Sequence, residues 1–527
     1  IEIWVATAIV SLAPLLLLRP KLHLVAVIVL AVGTGAIASR WSVSRIASMR
    51  RLLHGATFAA IIFALGGEGV VRLLERQRGS APLAHADSDQ PNVLLLVLDT
   101  VRALSMSAYG YERETTPNLA RLAREGVRFD RAVSTAPWTL ASHASLFTGR
   151  YPSETSVGWT VPLDNTHPVL AEQFAARGMA TAGFAANLTY CTPSFGLARG
   201  FRFYQDYLVS PGEAIHSSAL TRFVDDAWHQ WRHEDVLHGR PLASDVADRF
   251  LRWSGGNSRL GHPYFAFLNF FDAHAPYSPP APFDTMFIGR EPAIRDPRQA
   301  GDHPTAASAK ELKAAYDQSL AYLDGQIGRV LDSLRARGEL DRTVIVVVSD
   351  HGEEFLEKGI LEHGDDLYFP SLHVPLLVRY PRRVPAGTVV AEPVSLRDVA
   401  ATIIDLSQPS SDSQTAASRT DSQIPGTSLT QFWSAASLTK RALSTLTSTV
   451  PFAPNLPPNR PISKGGMRSI VGEGLHLIVR GDGHEELYDI MRDPFEQLDL
   501  SNDQEKTSAL SLLRNSVGVS EPKPPQK

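Results

Sequence analysis

Two apolar runs, each ending in an aspartate, limit what this chain can fold into more than any other feature. Val93–Leu98 contains only Val and Leu and stops at Asp99; Arg342–Ser349 reads RTVIVVVS and stops at Asp350. A strand without polar alternation is buried on both faces, so helices must cover the sheet above and below. Strand-like Ala180–Ala185 and Tyr264–Phe271 fall between helically spaced segments at Thr116–Gly126, Leu170–Gly178, Ala243–Trp253 and Glu311–Leu334. This alternation predicts an α/β fold with a doubly wound, mostly parallel sheet. Ligands of such sheets bind at the carboxyl ends of the strands, where Asp99 and Asp350 stand.

The flanking regions differ in character. Ile1–Leu18, Leu22–Ala38 and Ala56–Val71 are apolar, each near the lower limit of the roughly 17–25 residues that span a bilayer. A signal peptide has one such segment, so residues 1–78 read as a multi-pass transmembrane anchor of about three helices. The chain opens on Ile1 rather than Met, so residues upstream of it are expected. Arg40, Arg45, Arg50 and Arg51 lie between the second and third segments, against Arg19 and Lys21 between the first and second. The positive-inside rule then puts the large domain on the periplasmic or extracellular side. Residues 79–90 read as a linker and 91–406 as the catalytic domain, with an irregular insertion at Val209–Pro241. Residues 407–464 read as a mobile loop region, most clearly the Ser-rich and Asp-rich Ser407–Gln423, and Val394–Leu406 before them as a helix. Residues 465–527 form a small C-terminal subdomain and tail: short antiparallel strands in Ser469–Arg480 and Glu485–Tyr488, then a helix at Glu505–Leu513.

Charge and cysteine content exclude several classes. Lys and Arg number 51 against 55 Asp and Glu, for a net charge of −4, which does not suit a nucleic-acid partner. Cys191 is the only cysteine, so there is no disulfide framework and no cysteine-based zinc site.

The remaining chemistry gathers around Ser134–Pro152. Thr139 stands where a helix N-cap is expected, before the run Leu140–Phe147 that Gly149 closes. Taken alone it reads as an ordinary cap. The free N–H groups and positive dipole end of a helix nevertheless favour an anion beside that hydroxyl. Asp99, Asp350, His351 and a Thr139 alkoxide together make a four-ligand set for a divalent metal. His274 and His363 fall just beyond strands or in glycine-bounded turns, within reach of the same edge. His143, His167 and His373 sit inside helical or apolar patterns and are assigned to packing.

From about Asn92 to Asn502 the chain resembles the sulfatase family of the alkaline phosphatase superfamily. The matching pieces, in the family's order, are VLLLVLDTVR, ASLFTGRYP, FFDAHAPY, VIVVVSDHGEE, LEHGDDLY, LHVPLLVRYP, VSLRDVAATIIDL and ELYDIMRDPFEQLDL. The resemblance implies an alkaline-phosphatase-like fold, a metal held by Asp99, Asp350 and His351, and Thr139 as nucleophile. It implies that His274 and His363 contact the transferred group or protonate the leaving oxygen; in relatives with two metals such histidines bind the second ion. Arg102 would meet a substrate anion, and Asn187 is a further substrate-binding candidate.

The departures from the family pattern bear on mechanism. Formylglycine sulfatases begin the nucleophile motif with Cys or Ser, followed by Pro and Arg; here those positions are Thr139, Ala141 and His143. Thr100 replaces the second of the paired metal aspartates. No lysine follows Glu362-His363-Gly364 at the family spacing, and no Lys-x-His pair lies near Asn187. One fewer carboxylate shifts the expected ion from Ca²⁺ toward Zn²⁺ or Mn²⁺. A threonine nucleophile behind several membrane helices resembles the phosphoethanolamine and phosphoglycerol transferases. The expected function is a membrane-anchored, metal-dependent hydrolase of a sulfate or phosphate ester, acting through a covalent Thr139 intermediate on a substrate such as a lipid head group or glycan. The alternatives are a transferase with the same site and an inactive relative that binds an anionic ligand.

Overall fold

The computed structural model describes residues 90–206, 240–259, 261–301, 304–408, 423–433, 446–451, 453, 456 and 460–517. The expected membrane segments lie outside the described residues, as do all but the ends of the linker, of the Val209–Pro241 insertion and of the Ser407–Gln423 loop. No helix among the described residues is long and apolar enough to cross a membrane.

The central sheet is built from β1 (Asn92–Leu98), β2 (Val127–Val133), β3 (Ala180–Ala185), β4 (Phe203–Gln205), β5 (Tyr264–Phe270) and β6 (Thr343–Val348). After a two-stranded hairpin of β7 (Glu354–Phe355) and β8 (Leu361–Glu362), β9 (His373–Arg379), β10 (Thr388–Val390) and β11 (Val394–Ser395) join the sheet. The order is β10-β2-β9-β6-β1-β5-β3-β4, with β11 also on β2. All neighbours are parallel except β9, which runs antiparallel to both β2 and β6. The sheet is therefore mixed, with one reversed strand.

Both faces are covered, as the unbroken apolar strands require. Val93, Leu95 and Val97 point into one core and Leu94, Leu96 and Leu98 into the other. Helices α2 (Thr139–Thr148), α3 (Leu170–Ala176) and α6 (Val399–Leu406) contribute to the first core; α1 (Pro117–Arg124), α4 (Ala243–Arg259) and the long α5 (Ala306–Ala336) contribute to the second. The segment expected to be one helix, Val394–Leu406, is split: Val394 and Ser395 pair with Ala132 and Val133, and the helix starts at Val399. Here the β2 edge offers ladder partners, and tertiary pairing overrides local periodicity.

The C-terminal sheet has four antiparallel strands, β12 (Leu446–Val450), β13 (Met467–Gly472), β14 (Leu475–Val479) and β15 (Glu485–Asp489), backed by α7 (Thr507–Val517). β12 lies inside the stretch expected to be a loop. Its sequence, LTSTV, has only two strong apolar residues, and pairing with β13 supplies the rest of its stability. Glu473 (φ 54°) and Gly474 (φ 80°) form the two-residue turn between β13 and β14, matching the positive φ at both positions of a type I′ hairpin.

One buried contact joins the second core to the start of α1. Thr116, at the N-cap, makes no side-chain cap bond. Asp324 of α5 takes over, accepting from Asn118 N and Leu119 N at 2.9 Å each and from Asn118 Nδ2 at 2.8 Å. Removing that carboxylate strands two buried helix N–H groups. Asp324→Ala is expected to lower unfolding free energy by about 2–3 kcal/mol, from one lost cap plus unsatisfied donors. Urea denaturation measures this, and an unchanged midpoint would assign the capping elsewhere.

Candidate active site

Strands β6, β1, β5 and β3 are adjacent and parallel, so their carboxyl ends form one row. Asp350 follows β6, Asp99 follows β1, Asn269 ends β5 and Asn187 lies just beyond β3. All are buried. Gly352 permits the chain to turn away from this row: a Cβ there would lie 2.0 Å from the Pro370 carbonyl oxygen.

Asp99, Asp350 and His351 each offer a ligand atom within 4.8 Å of the others. Each carboxylate has one satisfied oxygen and one orphan. Asp99 Oδ2 accepts from Asn187 Nδ2 at 2.8 Å and Asn269 Nδ2 at 3.4 Å, while Oδ1 has no partner. Asp350 Oδ1 accepts from His351 N at 2.9 Å and Thr100 N at 3.3 Å, while Oδ2 makes no hydrogen bond. His351 Nε2 stands 3.9 Å from Asp99 Oδ1 and 3.5 Å from Asp350 Oδ2. Two buried acceptors and an imidazole converging without a donor among them are what a bound cation would complete. The residues fit a divalent metal.

The electrostatics have the same origin. Burial, and then the charge of Asp350, push Asp99 up to about 7. Burial acts on Asp350 in the same direction, but His351 and His143 hold it below the usual carboxylate range. Burial also lowers His351, favouring the neutral ring. Its Nδ1–H donates to Gly352 O at 3.0 Å, so the lone pair sits on Nε2, toward the carboxylates.

Thr139 is not the N-cap of α2. Trp138 occupies that position with extended backbone (φ −153°, ψ 154°), and Thr139 is the first helical residue. Its hydroxyl is therefore not spent on capping. Oγ1 lies 3.4 Å from His351 Nε2 and 3.4 Å from Asn187 Nδ2. Ser142 Oγ donates to Asp350 O at 2.7 Å and Ser134 Oγ donates to the same carbonyl, tying the start of α2 to the end of β6.

The other histidines form a row outward. The His363 ring is 4.3 Å from that of His351, and His274 is 5.0 Å from His363. His363 Nδ1 lies 2.9 Å from Glu353 Oε1, and Tyr277 OH donates to Glu353 Oε2 at 2.9 Å. His274 Nδ1 is 2.8 Å from Ala275 O. Both Thr100 (φ 61°) and Glu362 (φ 71°) are non-glycine residues in left-handed conformation, each next to a site residue. Such positions cost on the order of 1–3 kcal/mol and persist where surrounding contacts over-determine them.

Arg102 departs from expectation. Its Nη1 donates to Glu357 Oε1 at 2.5 Å and Glu353 O at 3.2 Å, its Nε to Ser105 Oγ at 2.7 Å, and its guanidinium lies over Phe355. It is only 4% exposed and braces the β7–β8 hairpin rather than standing as a free cation. Thr100 turns its hydroxyl onto Asp99 O, so only its backbone N–H reaches Asp350. Two neighbours were not singled out in the sequence: Asn269 orients both Asp99 and the Asn187 backbone, and Glu353 holds His363. A third, His143, is assigned to packing by its sequence pattern, but it places Nδ1 2.9 Å from Thr139 O and 3.4 Å from Asp350 Oδ2. The i,i+4 spacing of Thr139 and His143 was a readable signal for the last. His167 and His373 bond backbone carbonyls, as packing histidines do.

Residues 91–409 match the family described as Sulfatase. The chain is 26% identical over 373 residues to an arylsulfatase of Clostridium perfringens, covering 60% of this chain and 74% of that protein. It is 27% identical over 408 residues to a steryl-sulfatase of Mus musculus, covering 60% of this chain and 62% of that protein. The fold is similar to that of a phosphonate monoester hydrolase of Agrobacterium radiobacter, with a TM-score of 0.61 at 20% identity, covering 82% of this chain and 95% of that one. With the family match extending over more than half its length, this chain belongs to the sulfatase family.

Proposed function

We propose that the chain is a metal-dependent sulfate-ester hydrolase whose nucleophile is Thr139. The observation that carries this reading is the position of Thr139 Oγ1, 3.4 Å from His351 Nε2, which itself lies 3.9 Å from the orphaned Asp99 Oδ1 and 3.5 Å from the orphaned Asp350 Oδ2. The donor set of Asp99, Asp350, His351 and the Thr139 hydroxyl suits Zn²⁺ or Mn²⁺ better than Ca²⁺. When bound, such an ion supplies a lowered hydroxyl pKa and neutralises charge on the transferred group.

The chain's own residues supply the rest. Thr139 Oγ1 releases its proton to solvent and forms a bond to sulfur as the bond from sulfur to the alcohol oxygen breaks, the departing oxygen taking a proton from the protonated Nε2 of His363. The free N–H groups at the start of α2 face the anionic oxygens. Asn187 Nδ2, fixed by its bond to Asp99, holds the hydroxyl in line. With Nδ1–H donated to Glu353, His363 presents Nε2 to the leaving oxygen, and His274 stands behind it as the second candidate. A water then attacks the sulfated Thr139 and restores the hydroxyl. Named relatives that are sulfatases support sulfate over phosphate as the group transferred. The three apolar segments within residues 1–78 support a membrane tether for the catalytic domain.

Thr139→Ala should reduce turnover of sulfate esters by about 10⁴-fold or more, the scale of a lost nucleophile, while stability changes by only about 1 kcal/mol. Thr139→Ser should recover part of the rate. Intact-protein mass measurement after rapid quenching should find a sulfate adduct on the wild-type chain and none on Thr139→Ala. A phosphate-containing adduct in its place would move the reading to phosphoryl transfer, and turnover equal to wild type would remove Thr139 from the mechanism.

Asp350→Asn should lower bound metal per chain by about tenfold or more at equal concentration, read by elemental analysis of the purified protein. Unchanged metal content would overturn the ligand assignment. In fractionated cells the full chain should sediment with membranes and resist carbonate washing, whereas release by carbonate would rule out an integral anchor.

A further inference from the structure

Three aromatic side chains meet at the site, two of them from segments that also carry a site residue. Trp138 immediately precedes Thr139. Tyr190 follows Asn187 in a turn closed by Tyr190 N donating to Asn187 Oδ1 at 3.1 Å. Trp159 comes from the long connection before α3, and its ring edge lies 3.7 Å from where a Cβ on Gly364 would be, next to His363. The Trp138 and Trp159 rings are 4.5 Å apart at 32°, and Tyr190 sits edge-on to Trp138 at 5.6 Å. Trp159 therefore bridges the two flanks of the site, from the nucleophile to the leaving-group histidine. It occupies the tip of a tight turn closed by Gly158 N to Val161 O and Val161 N to Gly158 O, both 3.2 Å. Trp138 is buried at 3% exposure, whereas Trp159 is half-buried, its indole Nε1 buried without a hydrogen-bond partner.

We propose that Trp159 is the floor of a subsite for the alcohol half of the substrate, and that this half carries a flat-faced ring, aryl or pyranose. The inference rests on the assignment of Thr139 and His363 above. If His363 protonates the departing oxygen, the carbon skeleton on that oxygen extends past His363, where Trp159 stands against Gly364. One indole face is covered by Trp138, so the arrangement is a platform rather than an enclosing cage for a quaternary ammonium group. The closed turn holds the indole in place before substrate arrives, so stacking costs little ordering.

Paired kinetics on the full chain test this, with phenyl sulfate and glucosamine 6-sulfate as ring esters and ethyl sulfate as the acyclic control. Trp159→Ala should raise KM for at least one ring ester by about 3- to 10-fold, the value of one aromatic stack, with kcat within about twofold. Ethyl sulfate kinetics should not move, and Trp159→Phe should recover most of the lost affinity. An effect on phenyl sulfate alone identifies an aryl alcohol, on the glucosamine ester alone a pyranose, and on both a general ring platform. Equal loss on ring and acyclic esters, or no loss on any, overturns the proposal. Binding is read separately, by quenching of tryptophan fluorescence by phenyl sulfate in Thr139→Ala with and without Trp159→Phe. Unchanged quenching in the double variant overturns the platform, whereas full turnover by Thr139→Ala overturns the nucleophile and leaves the ring preference standing on its own measurement.

Discussion

Everything at the site depends on two carboxylates that the fold buries side by side with no lysine or arginine paired to either among the described residues. Asp99 and Asp350 are both fully removed from water, and their nearest basic neighbours are imidazoles: burial lowers His351, whereas His143, although burial acts on it in the same way, is held well above its ordinary value by Cys191 and Asp350. A buried unpaired charge is among the costliest things a protein can carry. The amides of Asn187 and Asn269 and two backbone N–H groups satisfy half of the oxygens. The other two lie 3.9 and 3.5 Å from His351 Nε2, which is 3.4 Å from Thr139 Oγ1. Such an arrangement is stable only with a proton or a cation in it, and the rise of Asp99 to about 7 is the proton solution. A divalent ion is the alternative, and it alone would leave both carboxylates charged while drawing in a hydroxyl.

The surrounding structure serves this constraint. Ser134 and Ser142 clamp the Asp350 carbonyl, and α2 begins one residue earlier than it would with Thr139 as its N-cap. Had Thr139 been the cap, its oxygen would accept from its own helix and point along the helix axis. As the first helical residue it is released to face His351. The left-handed backbone at Thr100 and Glu362 belongs to the same pattern: strain is held where a ligand or an imidazole must be aimed.

Much of this could be read from the residues alone. A strand buried on both faces writes itself as an unbroken apolar run, so β1, β3, β5 and β6, their crossover helices and the aspartates at their ends were visible in one dimension. What could not be read depends on partners far along the chain. β12 and β11 become strands only because β13 and β2 lie open beside them. Arg102 follows the buried Asp99 as an anion binder would, but a carboxylate some 250 residues away, Glu357, captures it. Asn269 and Glu353 carry no local signal of their roles, since an amide inside an aromatic strand and a glutamate in an acidic turn are ordinary residues until the sheet brings them together. Trp159 is the same kind of case: in sequence it is a tryptophan in a polar loop, and only the folded chain sets it between Trp138 and Gly364.

The presence of Thr100 rather than a second carboxylate after Asp99 then has a structural consequence. A carboxylate at that position would add negative charge to a cluster that already raises Asp99. Thr100 instead turns its hydroxyl back onto the Asp99 carbonyl and offers its N–H to Asp350. The position offers a dipole to Asp350 in place of a further carboxylate. In the proposed mechanism, the weak hydroxyl of Thr139 would then have a larger share in completing the donor set, and the softer imidazole of His351 would count for more. A single carboxylate in the Asp99-Thr100 pair and an unmodified threonine nucleophile would thus be linked through charge: a cation held by fewer anions would retain more of its own charge with which to acidify an alcohol.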